Sequence, residues 1–131
     1  RASYAAENMD CTICPPEEVP EKVDCFFSAH VIEHLLNPRA LWETAQSILK
    51  PGGRVVVFLP NGDRTRESSH AEFHKMWGQV HPLILSPLAL QKMGEHYGFT
   101  VDCYASPFIP NEIAQKLPNK NTGVELVALG S

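Results

Sequence analysis

The chain has 131 residues, 44% hydrophobic and 20% charged, a composition that suits one soluble globular domain with a real core. A formal net charge of −4 argues against binding nucleic acid or an acidic membrane by bulk electrostatics. No apolar run approaches the roughly 20 residues a membrane-spanning helix needs, and the N-terminus carries no secretory core.

The sequence begins at Arg1, in what reads as the last turns of a helix, so a single, N-terminally truncated domain over residues 1–131 is expected. Ala2 to Met9 is rich in helix formers, and Asp10 to Cys14 is a short candidate strand. Cys11-Thr-Ile-Cys14 has C-x-x-C spacing, but Pro15-Pro16 follows at once and prevents the helix that a redox motif would open. No second pair stands at zinc-site spacing. Cys11, Cys14, Cys25 and Cys103 are therefore read as reduced thiols of a cytoplasmic protein.

After an acidic, proline-rich loop over Pro15–Lys22, Val23 to Ser28 is short and mostly apolar, as in a strand buried on both faces. Asn37-Pro38 supplies an N-cap and a proline at the first helical position. Leu41, Ala45, Ile48 and Leu49 then recur at helical spacing to form one buried stripe. Pro51 stops that helix, and Gly52-Gly53 turns the chain into Val55–Leu59, an uninterrupted apolar run that predicts a central strand. Strand, helix and strand in succession predict a parallel pair with its crossover.

Gly62 to Ser68 is a polar loop. Ser69-His-Ala-Glu72 fits a capping box, with Phe73, Met76 and Trp77 on one helical face. His81–Leu85 is a second connection. Ser86-Pro87 starts another helix in which Leu90, Met93 and Tyr97 align and Gly98 is the terminating residue. Phe99, Val101, Cys103 and Ala105 alternate with polar neighbours, as in a half-exposed antiparallel strand. A short helix near Asn111–Leu117 and a last strand over Gly123–Leu129 complete the reading.

Ligands of open α/β sheets sit outside the carboxyl ends of the parallel strands. Cys14–Glu17, Ser28–His34 and Pro60–Arg66 occupy that edge, whereas Gly52-Gly53 precedes a strand and falls at the opposite one. No glycine-rich strand-to-helix loop stands elsewhere. On a helix, His30-x-x-Glu33-His34 would put two imidazoles on one face with a carboxylate beside them, the arrangement of a metal site and of inverted zinc peptidases. The helical stretch could run only over Ala29–Leu36 before Asn37-Pro38 breaks it, and it hangs off a buried strand. No metal is therefore assigned, with His30, Glu33 and His34 as the candidate ligands. The alternative is that Glu33 and His34 bond backbone groups of a turn.

The run His30-Val-Ile-Glu-His-Leu-Leu-Asn-Pro38, then Leu49-Lys-Pro-Gly-Gly53 and Leu59-Pro-Asn61, resembles the class I S-adenosylmethionine-dependent methyltransferases. Tyr97-Gly-Phe99 before an antiparallel hairpin resembles the carboxyl-terminal half of the same family. The resemblance implies a partial Rossmann-like α/β sheet, with parallel strands, a C-terminal antiparallel hairpin and helices on both faces. The family's glycine-rich cofactor loop and ribose-binding carboxylate would precede Arg1. Val23–Ser28 would then present a bare edge, covered by a homo-oligomer or by further chain.

By the same resemblance the function is methyl transfer from S-adenosylmethionine to a small-molecule acceptor, with cofactor binding by this chain alone incomplete. Cys14 and Pro15 match positions that approach the adenine, and Ser28, Ala29 and His30 match those along the methionine part. Some family members carry Glu-x-x-Glu-His where this chain has His30-x-x-Glu33-His34 and hold a divalent ion with a later histidine, here His81. His30, His34 and His81 are the candidate catalytic bases, since imidazole accepts a proton near neutral pH. The alternatives are a non-catalytic interaction domain and a metal-dependent hydrolase built on His30, Glu33 and His34.

Overall fold

The computed structural model describes residues 2–9, 11–63, 73–106, 115–116 and 125–130. Helix α1 (Ala2–Asn8), residues 11–15 without regular structure and a 3-10 turn at Pro16–Glu18 precede strand β1 (Val23–Ala29). Helix α2 (Arg39–Ile48) and strand β2 (Leu49–Pro60) follow, then helix α3 (Pro87–His96) and strands β3 (Val101–Ser106), β4 (Gln115–Lys116) and β5 (Glu125–Gly130). The strands form one five-stranded sheet in the order β1-β2-β5-β3-β4. Strands β1 and β2 are parallel, whereas β5 runs antiparallel to both β2 and β3. The expected α/β class, parallel pair and carboxyl-terminal antiparallel strands are all present.

Local chemistry explains the α2 crossover. Asn37 Oδ1 accepts the Arg39 amide at 3.2 Å, beside the proline that opens the helix. Leu41, Trp42 and Ala45 face inward and meet Val55, Val57 and Leu59 of β2, Leu90 of α3, and Val101 and Cys103 of β3. Trp42 is the largest fully buried side chain, one turn position away from the stripe that helical spacing picked out. Gly94 lets α3 approach: a Cβ there would stand 2.2 Å from Val101 Cγ2 and 3.3 Å from the Trp42 ring. Helix α3 starts as expected, with Ser86 Oγ accepting the Ala89 amide at 3.3 Å. It ends before Gly98, whose φ of +84° glycine adopts without strain.

The register pairs Phe26 with Val55, Phe27 with Val56, Ser28 with Val57 and Ala29 with Phe58. Ser28, Val55, Val57 and Leu59 are buried on the face that α2 and α3 cover. On the other face Cys25 and Ala29 are exposed, and Phe27 retains 66% of its surface. Val23–Ser28 is thus not closed on both sides among the described residues. As expected, β1 is the outermost strand on its side of the sheet, with β2 its one described ladder partner.

Two further expectations need correction. Of Asp10–Cys14, read as a short strand, residues 11–14 form no ladder, because no described strand lies beside them, and Asp10 lies outside the described residues. Residues 115–116, inside the helix expected near 111–117, pair with β3 instead, and the remainder of that helix lies outside the described residues. The capping box at Ser69–Glu72 and most of the Gly62–Ser68 loop, with Arg64 and Arg66, also lie outside them. The turn that follows is a 3-10 helix over Phe73–Met76.

Candidate functional site

The carboxyl ends of β1 and β2 lie side by side, and the site is built where β1 stops. The His30 amide donates to Phe58 O at 2.8 Å, so the parallel ladder runs one residue past β1. His30 then takes φ +52°, a left-handed conformation uncommon outside glycine, and the chain turns out of the sheet. A single 3-10 turn follows over Ile32–His34, with Ile32 and Glu33 both fully buried. Ile32 anchors this turn in the core, which carries the adjacent carboxylate inward. No helix forms over Ala29–Leu36, the longest stretch open to one, because ladder pairing holds the backbone through His30. His30 and His34 therefore do not share a helical face, and the inverted-peptidase geometry is absent.

The second half of the site arrives from residues 77–85. Gly78, at φ +125°, donates its amide to His81 O at 3.2 Å and closes a turn around Val80. The Leu83 amide donates to Glu33 O at 3.3 Å, and the Gly62 amide donates to Leu85 O at 3.1 Å. These backbone bonds tie the segment to the Ile32–His34 turn and to the end of β2. Gly62 is required for the second contact, since a Cβ would sit 2.6 Å from Leu85 O and 2.7 Å from its nitrogen. Just before it, Asn61 is fully buried and its Oδ1 accepts the Asp63 amide at 3.0 Å, an Asx turn that ends the strand.

This arrangement brings Glu33, His34 and His81 together, with one ligand-type atom from each lying within 4.8 Å of the others. The two imidazole rings stand 4.7 Å apart, and Trp77 approaches His81 edge-on at 6.2 Å. His34 Nδ1 lies 2.5 Å from Val80 O. A carbonyl can only accept, so Nδ1 carries the hydrogen and Nε2 of the neutral ring holds its lone pair. That lone pair faces Glu33, with Nε2 3.9 Å from Oε1.

Glu33 is the anomaly. Its side chain is 1% exposed, yet among the described residues neither carboxylate oxygen receives an aligned hydrogen bond. The His30 Nδ1 atom lies 3.3 Å from Oε1, close enough for attraction but outside hydrogen-bond alignment. A buried carboxylate without such a partner is costly, and it is unusual in a folded interior.

Of the positions singled out in sequence, His30, His34 and His81 all reach this edge of the sheet. His81 joins Glu33 and His34, while His30 stands outside the three-donor group and packs its ring edge against Phe58 at 5.6 Å. Ser28 is buried at the end of β1, and Ala29 beside it is exposed on the opposite face. Cys14 and Pro15, in the segment before the Pro16–Glu18 turn, make no described hydrogen bond to the histidine cluster. Sequence reasoning missed the Val80 carbonyl and the Gly62–Leu85 contact. The Asn61-Gly62 pair after an apolar strand is the one local signal that pointed there.

Residues 5–104 match the family model of a methyltransferase domain. The chain belongs to this methyltransferase family. Its fold is shared with solved methyltransferases of low sequence identity. A complex between a Haloferax volcanii methyltransferase activator and a methyltransferase aligns with a TM-score of 0.63 at 16% identity, over 91% of this chain and 59% of that one. A S-adenosylmethionine-dependent methyltransferase from Thermotoga maritima aligns with a TM-score of 0.58 at 22% identity, over 88% and 60%. Another, from Archaeoglobus fulgidus, gives 0.57 at 17% identity, over 88% and 62%. The chain thus spans about 60% of the length of these structures. No curated protein sequence matches it. No helix among the described residues is long and apolar enough to cross a membrane.

Proposed function

We propose that this chain is the carboxyl-terminal part of a domain that transfers a methyl group from S-adenosylmethionine to a small-molecule acceptor, with Glu33, His34 and His81 holding a divalent ion at the acceptor end. The observation that carries the reading is the buried Glu33 carboxylate, lacking an aligned hydrogen bond and facing two imidazoles beside the ends of two parallel strands. Family membership supports the reaction class, and the sheet edge is where ligands of such folds bind.

The residues present fit an ion. Glu33 supplies negative charge in a dry setting, His34 presents Nε2 in a fixed orientation, and His81 adds a third donor. When bound, the ion would polarise an acceptor hydroxyl and ease loss of its proton. Ser28, Ala29 and His30 would line the methionine part of the cofactor, and Cys14 and Pro15 would approach its adenine. The remaining cofactor contacts would come from a segment paired with the outer edge of β1. Most of the rate would come from in-line placement of donor and acceptor, because the activated methyl needs little acid–base help. Where no such segment covers the β1 edge, a second copy of the chain is the expected macromolecular partner there. The four free cysteines fit a reducing, cytoplasmic setting.

Labelled methyl transfer to a panel of small hydroxyl and amine compounds, with the domain in its complete polypeptide, tests the reading. Loss of transfer in Glu33→Ala with cofactor affinity retained supports it. Undiminished turnover in that variant overturns the acceptor-end role, and failure to bind S-adenosylmethionine favours a non-catalytic interaction domain.

A further inference from the structure

We infer that the Glu33–His34–His81 site selects a borderline transition ion of the zinc or cobalt(II) kind over magnesium or calcium. The inference rests on the ion-holding role proposed above and adds its selectivity. Two of the three donors are imidazole nitrogens and the third is a carboxylate. Imidazole suits zinc, cobalt, nickel and iron, whereas magnesium and calcium call for oxygen ligands and several negative charges.

The position that could have supplied a second carboxylate is His30, and it does not do so. Three residues before Glu33, it places Nδ1 3.3 Å from Oε1 and lies outside the three-donor group. Its effect on the ion is therefore exerted through Glu33, as a positioning residue. The donor set that remains carries a single negative charge.

The Val80 carbonyl strengthens the preference. By fixing the hydrogen on Nδ1 it commits His34 Nε2 to a lone pair, the arrangement in which metal-bound histidines are usually held. Donor atoms spread over as much as 4.8 Å must close to about 3.3 Å around a tetrahedral ion with bonds near 2.0–2.1 Å. The closing amounts to at most about 1.5 Å between any two donors. Glu33 is sealed from solvent while the His34 side chain is 41% exposed, so the remaining coordination positions open outward on the imidazole side. Three protein donors with an open position are the pattern of a reactive rather than a structural centre.

Cobalt(II) titration of the purified, metal-stripped chain reads the site directly, through visible d–d absorption, without reference to turnover. Saturable binding is expected, displaced by equimolar zinc and resisting magnesium at ~100-fold excess. His81→Gln, at a half-buried position, should weaken cobalt binding by roughly 10–100-fold with the circular dichroism spectrum retained. His30→Glu adds a carboxylate and should narrow the cobalt-over-magnesium preference about tenfold or more. Magnesium competing at equal concentration would overturn the selectivity while leaving the ion-holding role standing. Absence of binding by cobalt, zinc and magnesium alike would remove both.

Discussion

The two faces of the sheet are made by alternate residues of the same strands and have different fates. Val55, Val57 and Leu59 are fully buried under α2 and α3, while Val56 and Phe58 between them are only half-buried. Next door, Ser28 is buried and Phe27 is not. The run Val55-Val-Val-Phe-Leu59 is equally apolar at every position, so hydrophobicity does not record this difference. It arises from where α2 and α3 return. Among the described residues, a strand apolar on both faces but fully covered on one leaves the other open to a partner, and the outer edge of β1 has no described ladder partner.

Trp42→Ala gives the sharpest test of the closed face. It should destabilise the chain by about 3–5 kcal/mol in urea unfolding, as expected for a fully buried aromatic. Trp42→Phe should cost far less, because the indole N–H is itself buried without an acceptor. Gly62→Ala forces a methyl against the Leu85 backbone and should cost roughly 1–3 kcal/mol. Cobalt affinity should fall with it, since the strap bearing His81 must shift.

The cysteines contrast the two faces directly. Cys103 is buried on the helix side, and desolvation, with Asp102 beside it, pushes its thiol up to about 12. Its folded-state value lies above the unfolded one, so its contribution is intact below about pH 9 and is lost as pH rises toward 12. Alkylation should accordingly modify exposed Cys11 and Cys25 well before Cys103. On the open face, Phe27→Thr should change stability by no more than ~0.5 kcal/mol. It should also reduce concentration-dependent self-association in sedimentation; an unchanged profile would place the contact elsewhere. The smallest effect is expected at the exposed Lys50–Asp24 pair, 2.9 Å apart, where Lys50→Ala should cost under about 1 kcal/mol.

Local signals made much of this fold legible. Ser86, Pro87 and Gly98 bound α3 by cap chemistry alone, and Asn37-Pro38 opens α2. Its other end was misplaced, since the helix closes at Ile48 and Leu49, read as part of the buried stripe, pairs with Val23 while Pro51-Gly-Gly53 fall within β2. The Ile32–His34 turn was legible only as one of two alternatives, because the spacing from His30 to His34 also suits a helix, and ladder pairing to Phe58 decides for the turn. Trp42 lay beside the predicted stripe, and only the approach of Gly94 shows why it is buried. His81 stands 47 positions beyond His34, and its juxtaposition depends on backbone bonds that no side-chain pattern encodes.

The bonds from Leu83 to Glu33 and from Gly62 to Leu85 join main chain to main chain. The spacing of the cluster is consequently set by amides, one that any residue type but proline could supply at position 83 and one that only glycine can bring close enough at position 62. The exposed Ile84 side chain can therefore be exchanged with the Glu33–His81 distance preserved, whereas Leu83 packs against the core. The spacing at this edge is thus kept by peptide geometry, while its exposed side chains stay open to substitution.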